Sequence, residues 1–115
     1  MSTYNGAVGG YGYRVSPEEA LRLSEAMGLF SEDLFNPDRK GLKIPDGFVC
    51  DTFGVFKVSL GFLILFPDEI VERVMDGLDE PPDSKVIPTW ADSVGLVLDS
   101  DLPRIIVEVD PSKEL

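Results

Sequence analysis

The longest strand signal in the chain is an alternation of apolar side chains between residues 55 and 66. Apolar residues recur there at every second position, which is the side-chain period of a β-strand, at Phe56, Val58, Leu60, Phe62, Ile64 and Phe66. The opposite face changes from polar to apolar partway along the segment. The pattern predicts a central strand that is buried on one side first and on both sides later. Gly61 has no side chain to pack, so a bulge or bend is expected there.

The first helix is marked at both of its ends. Ser16 is followed by Pro17 and lies three residues before Glu19, which is the capping-box arrangement of a helix start. Apolar residues then recur at helical spacing, at Ala20, Leu23, Met27 and Phe30. Gly28 is a natural C-terminal stop, so the helix is expected over 17–27.

A second helix is predicted after Pro67. Two acids follow that proline, and negative charges at the start of a helix are stabilised by the positive end of the helix dipole. The apolar stripe of this helix consists of Ile70, Val71, Val74, Met75 and Leu78. Gly77 is its expected end.

Shorter apolar segments predict the remaining strands. They lie at residues 11–15, 48–50, 94–98 and 105–109, with a further short edge strand around Pro88. The segments 94–98 and 105–109 are expected to form a hairpin, and residues 51–54 a turn. This order of elements predicts an α+β fold with a mixed, mainly antiparallel sheet of about five to six strands and two main helices packed on one face.

The chain has the length of one domain, with residues 13–110 as a single compact α+β unit. Residues 1–12 are rich in glycine and tyrosine and have little to bury, so they are predicted to form a flexible arm. Their glycines do not match a phosphate-binding loop, because no strand precedes them and no lysine follows. Residues 111–115 are expected to be a frayed tail.

The predicted core combines the helical and the strand periodicities. Its members are Leu23, Met27, Phe56, Val58, Leu60, Phe62, Ile64, Val71, Val74 and Val107.

The chain is strongly acidic, with 21 Asp and Glu residues against 10 Lys and Arg residues and a net charge of −11. This balance disfavours direct binding to nucleic acid or to anionic membranes, which needs clustered basic side chains. A basic protein surface, such as that of a nucleic-acid-binding protein, is the favoured partner. The segment Val58–Phe66 is too short to span a membrane and no signal peptide is visible, so a cytoplasmic location is expected.

The chain has no histidine, and Cys50 is its single cysteine. Histidine-activated nucleophiles and zinc sites built from histidine or paired cysteines are therefore excluded within one chain. Cys50 has apolar neighbours and is interpreted as a small buried hydrophobe. We expect no catalytic site, no metal and no cofactor; any catalysis would have to use carboxylates or Tyr13.

The candidate partner-binding residues lie mainly on and after the second helix, where acidic residues are densest. Glu69, Glu72 and Asp76 lie at i, i+3 and i+7, opposite the apolar stripe, and Asp79 and Asp83 follow. The alternative interpretation of these acids is an ordinary solvated helix face. Trp90 is either an aromatic anchor for the partner or a cover for one end of the core.

Three classes of function follow from these features. The first is a non-catalytic binding or inhibitory protein that docks on a basic macromolecular surface, as immunity proteins, antitoxins and DNA mimics do. The second is a small-ligand-binding module or an enzyme based on carboxylates or tyrosine. The third is a subunit of a larger assembly, including a homo-oligomer formed through apolar edge strands.

Overall fold

A computed structural model describes residues 7–54, 60–78 and 84–109. Four strands and three helices lie in this part of the chain. In chain order they are β1 (Ala7–Val15), α1 (Pro17–Met27), β2 (Val49–Gly54), β3 (Leu60–Leu65), α2 (Asp68–Met75), α3 (Val86–Val94) and β4 (Arg104–Val109), with two short 3-10 turns at Ser31–Asp33 and Pro37–Arg39 between α1 and β2. The α+β class predicted from the sequence is confirmed.

The strands form one antiparallel sheet in the order β2-β3-β1-β4. The sheet has four strands in the described part of the chain, so the prediction of five to six is not matched there. β3 is central as predicted, although the start of that segment, residues 55–59, lies outside the described residues. Gly61 pairs with Phe53 in a continuous register, so the bulge expected at this glycine is absent. The turn predicted at residues 51–54 is wrong, since these residues belong to β2.

The prediction of a flexible arm is wrong for residues 7–12, which belong to the central strand β1. Two of its glycines are required by the close approach of the neighbouring strands. A Cβ atom at Gly9 would lie 2.2 Å from the carbonyl oxygen of Ile106, and one at Gly12 would lie 2.1 Å from that of Ile64. The sequence suggested that these glycines belong to an unpacked segment. In the fold they allow the neighbouring strands to pack closely.

Two strands predicted in the C-terminal half are also wrong. Residues 86–94 form α3, and residues 95–98 are a loop. Pro88 is tolerated because it lies in the first turn of the helix, where its missing N–H group has no intrahelical acceptor. Gly95 ends α3 with φ 76°. β4 consequently pairs with β1 and forms no hairpin with residues 94–98.

The helix starts and stops were predicted more accurately. The Oγ atom of Ser16 accepts a hydrogen bond from the backbone N–H of Glu19 at 3.3 Å, and Gly28 ends α1 with φ 74°. The side chain of Glu19 does not complete the capping box. It accepts hydrogen bonds from Arg22 and from the backbone N–H of Val97 instead, which links α1 to the loop after α3.

The main core lies between the three helices and one face of the sheet. Its fully buried members are Tyr13, Val15, Ala20, Leu23, Leu34, Phe62, Ile64, Phe66, Ile87, Ala91 and Leu96, and Val71 of α2 packs against them. A smaller buried cluster of Leu63, Leu65 and Ile106 lies on the other face. The sheet is thus apolar on both faces of β3, as the sequence pattern predicted.

The predicted core residues have four different outcomes. Leu23, Phe62 and Ile64 are buried, whereas Val71 and Val74 are only half-buried. Met27, the last residue of α1, and Val107 are exposed, which contradicts the prediction. Val107 is exposed because it lies on the edge strand β4. Phe56, Val58 and the side chain of Leu60 lie outside the described residues.

Candidate partner-binding surface

The acidic residues of α2 form an exposed row, which we call the acidic ridge and define as Glu69, Glu72 and Asp76. Residues spaced i and i+3 have Cβ atoms about 5–6 Å apart on a helix, so the first two carboxylates are neighbours. Asp76 follows the last helical residue, and its backbone N–H donates to the carbonyl oxygen of Glu72 at 2.9 Å, which keeps it on the same helical path. The structure therefore brings these three acids to one solvent-facing side. Asp79 and Asp83 lie outside the described residues.

The opposite side of α2 is only partly committed to the core. Ile70, Val71 and Val74 are half-buried, and no residue of the helix is fully buried. An apolar groove of about 280 Å³ remains between the helix and the sheet, lined by Tyr11, Phe66, Ile70, Val71, Val74, Met75 and Ile105. The groove floor is fixed by stacking of the Tyr11 and Phe66 rings, whose centroids are 5.4 Å apart. α2 is thus held against the sheet by a small apolar contact.

Large apolar side chains remain exposed around this groove. Met75 is 78% exposed at the end of α2, and Ile105 is 74% exposed on β4. Leu78 and Val107 are 63% and 71% exposed. The core predicted from the sequence includes Val107 and does not include Ile105. The signal that separates these residues from the core is positional, because β4 lies at the sheet edge and its alternate residues have little to cover them.

Trp90 does not lie with the acidic ridge. Its ring is half-buried on α3, with its centroid 6.3 Å from that of Phe35. The shallow depression beside it is lined by Pro45, Lys85, Val86, Thr89, Trp90 and Ser93. None of these residues comes from α2, and Lys85 gives the depression a positive side chain. The position supports the interpretation of Trp90 as a cover for one end of the core.

Tyr13, which the sequence offered as a possible catalytic group, is buried, and Cys50, which was predicted to be buried, is half-buried. Tyr13 is 2% exposed, and its hydroxyl donates to the carbonyl oxygen of Ser84 at 2.9 Å. Burial, with a smaller contribution from the charge of Asp51, raises the pKa of the Cys50 thiol to about 12. A raised pKa favours the protonated thiol at neutral pH, and the thiol is a weaker nucleophile than the thiolate. Within residues 7–54, 60–78 and 84–109, no three Cys, Asp or Glu side chains are grouped so that they could hold a metal ion.

A carboxylate with several hydrogen-bond partners lies on α1, outside the ridge. Glu19 is held by Arg22, whose Nε donates to Oε1 at 2.8 Å, and by the backbone N–H of Val97 at 2.9 Å. The hydrogen bond from Arg22 is the main reason that the pKa of Glu19 lies below its ordinary value. Arg22 also donates to the carbonyl oxygen of Gly95 at 2.8 Å. This network joins α1 to the loop that follows α3.

Comparison of the chain with models of protein families, with curated proteins and with solved structures gave no match. None of the helices in the described segments has the length and apolar character needed to cross a bilayer.

Proposed function

We propose that this protein is a non-catalytic binding protein that docks on a basic protein surface through α2. The observation that carries the proposal is the position of the acidic ridge beside exposed apolar residues. Glu69, Glu72 and Asp76 face solvent, while Met75 and Leu78 are exposed on the same helix and the turn that follows it. Apolar contacts surrounded by charge are the usual anatomy of a protein–protein interface.

The charges and the apolar residues have different roles in this proposal. Exposed ion pairs contribute only about 0–1 kcal/mol each, so three acids alone do not hold a partner tightly. Their effect is on association rate and on partner choice, because a net negative charge attracts basic surfaces and repels acidic ones. Burial of Met75 and Leu78 against the partner would supply the apolar stabilisation, at about 25 cal/mol per Å².

The biological role that fits best is inhibition of a basic protein, in the manner of immunity proteins, antitoxins and DNA mimics. The whole molecule has a net charge of −11, which favours binding to proteins that themselves bind nucleic acid. A cytoplasmic location belongs to the same proposal, because a single cysteine gives no sign of an oxidising compartment.

The proposal is tested by comparing three forms of the protein as baits in cell lysate. The first is the wild type, and the second is the ridge reversal E69K/E72K/D76K. The third is a control reversal, E25K/E32K/D92K, in which three exposed acids outside α2 are changed by the same total charge. We expect a basic protein to be captured by the wild type and by the control but not by the ridge reversal. Circular dichroism checks that all three forms are folded.

The pattern of capture by the three forms also distinguishes the alternative functions. Capture that is equal for all three forms would contradict docking through α2. A captured small molecule that occupies the apolar groove would instead favour the ligand-binding alternative, and it would be identified by mass spectrometry of the purified protein. Loss of capture in the control as well would mean that net charge, and not the ridge, attracts the partner.

A further inference from the structure

The outer edge of the sheet at β4 has features of an interface. β4 is the last strand in the order β2-β3-β1-β4, and no other described segment pairs with its outer side. On the face of the sheet that carries the helices, Ile105 and Val107 are 74% and 71% exposed. Long apolar edge strands with free backbone groups are templates for pairing with another strand.

The sequence of β4 is complementary to itself. In an antiparallel pair of two copies centred on Ile106, Arg104 of one copy lies opposite Glu108 of the other, and this happens twice by symmetry. In the same register Ile105 lies opposite Val107, also twice. Opposite charges and β-branched pairs in directly facing positions both stabilise antiparallel strands.

The register also keeps the two faces of the sheet distinct. Residues 105 and 107 pair with Tyr11 and Gly9 of β1, and Ile106 pairs with Gly10, so 105 and 107 share one face and 106 lies on the other. An axis through Ile106 perpendicular to the sheet preserves this alternation in the second copy. A contact of this kind is isologous, because the same strand is used by both copies and the assembly closes at two.

We propose that two copies of this chain associate through β4 to form a dimer with one continuous sheet. The second copy is favoured over a foreign strand because a single register matches both the charged and the apolar residues of β4. The contact covers the exposed side chains of Ile105 and Val107 and satisfies the backbone groups of the edge. It also closes the sheet-edge side of the apolar groove, which Ile105 lines.

Salt separates this association from docking on a basic partner. Each copy carries a net charge of −11, so two copies repel each other at low ionic strength. At physiological salt, charges farther apart than about 8 Å are largely screened, which removes most of this repulsion, whereas the adjacent Arg104–Glu108 pairs within the contact are screened much less and the apolar contact is unaffected. The dimer is therefore expected to tighten as salt is raised, whereas binding to a basic partner weakens. The dimer proposal does not depend on the proposed function.

The test is sedimentation equilibrium of the full chain over a wide concentration range at low and high salt. The wild type is expected to be a dimer at high salt. The variant V107K, which places a charge opposite Ile105 of the other copy, next to the centre of the contact, is expected to dissociate, with at least a tenfold rise in the dissociation constant. V97K is the matched control, because Val97 is 64% exposed but lies outside β4. A wild type that is monomeric at all concentrations and salts, or a dimer that V107K leaves intact, would overturn the proposal.

A charge exchange tests the register. R104E and E108R each place like charges opposite each other twice, and each is expected to raise the dissociation constant about tenfold, as a change of 1.4 kcal/mol would. The double variant R104E/E108R restores the opposite pairs and is expected to return the constant to within about threefold of the wild type. If the double variant is no tighter than the two single variants, this register is wrong. Circular dichroism confirms the fold of each variant.

Discussion

At the scale of single residues, the ionisable groups of this protein divide into those that hold the fold and those that face solvent. Glu19 and Tyr13 hold distant segments together through hydrogen bonds. The acidic ridge on α2, by contrast, is exposed. Since the network around Glu19 is complete within the chain, substitutions there are expected to change stability and leave partner binding unaffected. Substitutions of the ridge residues are expected to weaken partner binding and to leave stability unaffected.

Glu19 makes stability depend on acid pH in a defined direction. Its pKa is lowered in the folded state, mainly by the hydrogen bond from Arg22. A lowered pKa contributes stability that is present above the unfolded-state pKa, about 4.3, and is lost as pH falls through the folded-state pKa. E19Q is expected to cost about 1 kcal/mol at neutral pH and to approach the wild type in acid. Urea denaturation at a series of pH values measures this, and a difference that is constant with pH would contradict it.

A variant of Tyr13 tests whether its buried hydroxyl stabilises the fold. Y13F removes the donor to the carbonyl oxygen of Ser84 and retains the ring in the core. Loss of one hydrogen bond of this kind is expected to lower the free energy of unfolding by about 0.5–1.5 kcal/mol. Chemical denaturation gives this value, and the binding assay with the captured partner provides the functional readout. Loss of partner binding by a Y13F variant that remains folded would contradict a purely structural role for this hydroxyl.

At the scale of elements, the sharpest prediction concerns the glycines of β1. Substitutions there distinguish a flexible arm from a central strand. A Cβ atom at Gly12 would meet the backbone of Ile64 and Leu65 at 2.1 and 2.8 Å, so G12A forces the strands apart. We expect G12A to destabilise the protein by about 1–3 kcal/mol. G10A is the control, since its Cβ meets only the end of the Leu65 side chain, at 3.1 Å. If both variants are as stable as the wild type, β1 does not pack as described.

The cap of α1 gives an independent check on an element that the sequence identified. S16A removes the acceptor for the backbone N–H of Glu19. The expected cost is about 0.5–2 kcal/mol, measured as a shift of the thermal or urea midpoint. An unchanged midpoint would mean that the start of this helix is held by contacts other than the cap.

The elements that could be predicted from the sequence are those whose signals are local. The start and end of α1 follow from Ser16 and Gly28, and the centre of β3 follows from its alternation. The first part of β1, before the strand predicted at residues 11–15, and all of α3 were missed because their decisive contacts are not local. The glycines of β1 matter only where two other strands approach, and Pro88 is compatible with either an edge strand or the first turn of a helix. The sequence pattern placed the ridge acids on one helix face. The exposure of the apolar residues of β4 depends on the order of strands in the sheet, which the sequence pattern does not contain.

At the scale of the whole molecule, charge and apolar exposure lie on adjacent surfaces. The acidic ridge lies on the solvent side of α2, and the apolar groove lies on its inner side, next to the exposed edge strand β4. The two proposals assign these surfaces to different partners, a basic protein for the ridge and a second copy for the edge. Raising the salt concentration is expected to weaken the first association and to strengthen the second.

The most direct test of the central claim is the association rate of the captured basic partner with the purified protein, measured at low and high salt. The wild type and the control E25K/E32K/D92K are expected to associate rapidly at low salt and more slowly at high salt, because electrostatic attraction speeds the encounter. The ridge reversal E69K/E72K/D76K is expected to associate at least tenfold more slowly at low salt and to depend little on salt. If the ridge reversal associates as fast as the control at low salt, the acidic ridge is an ordinary solvated helix face and docking through α2 is contradicted.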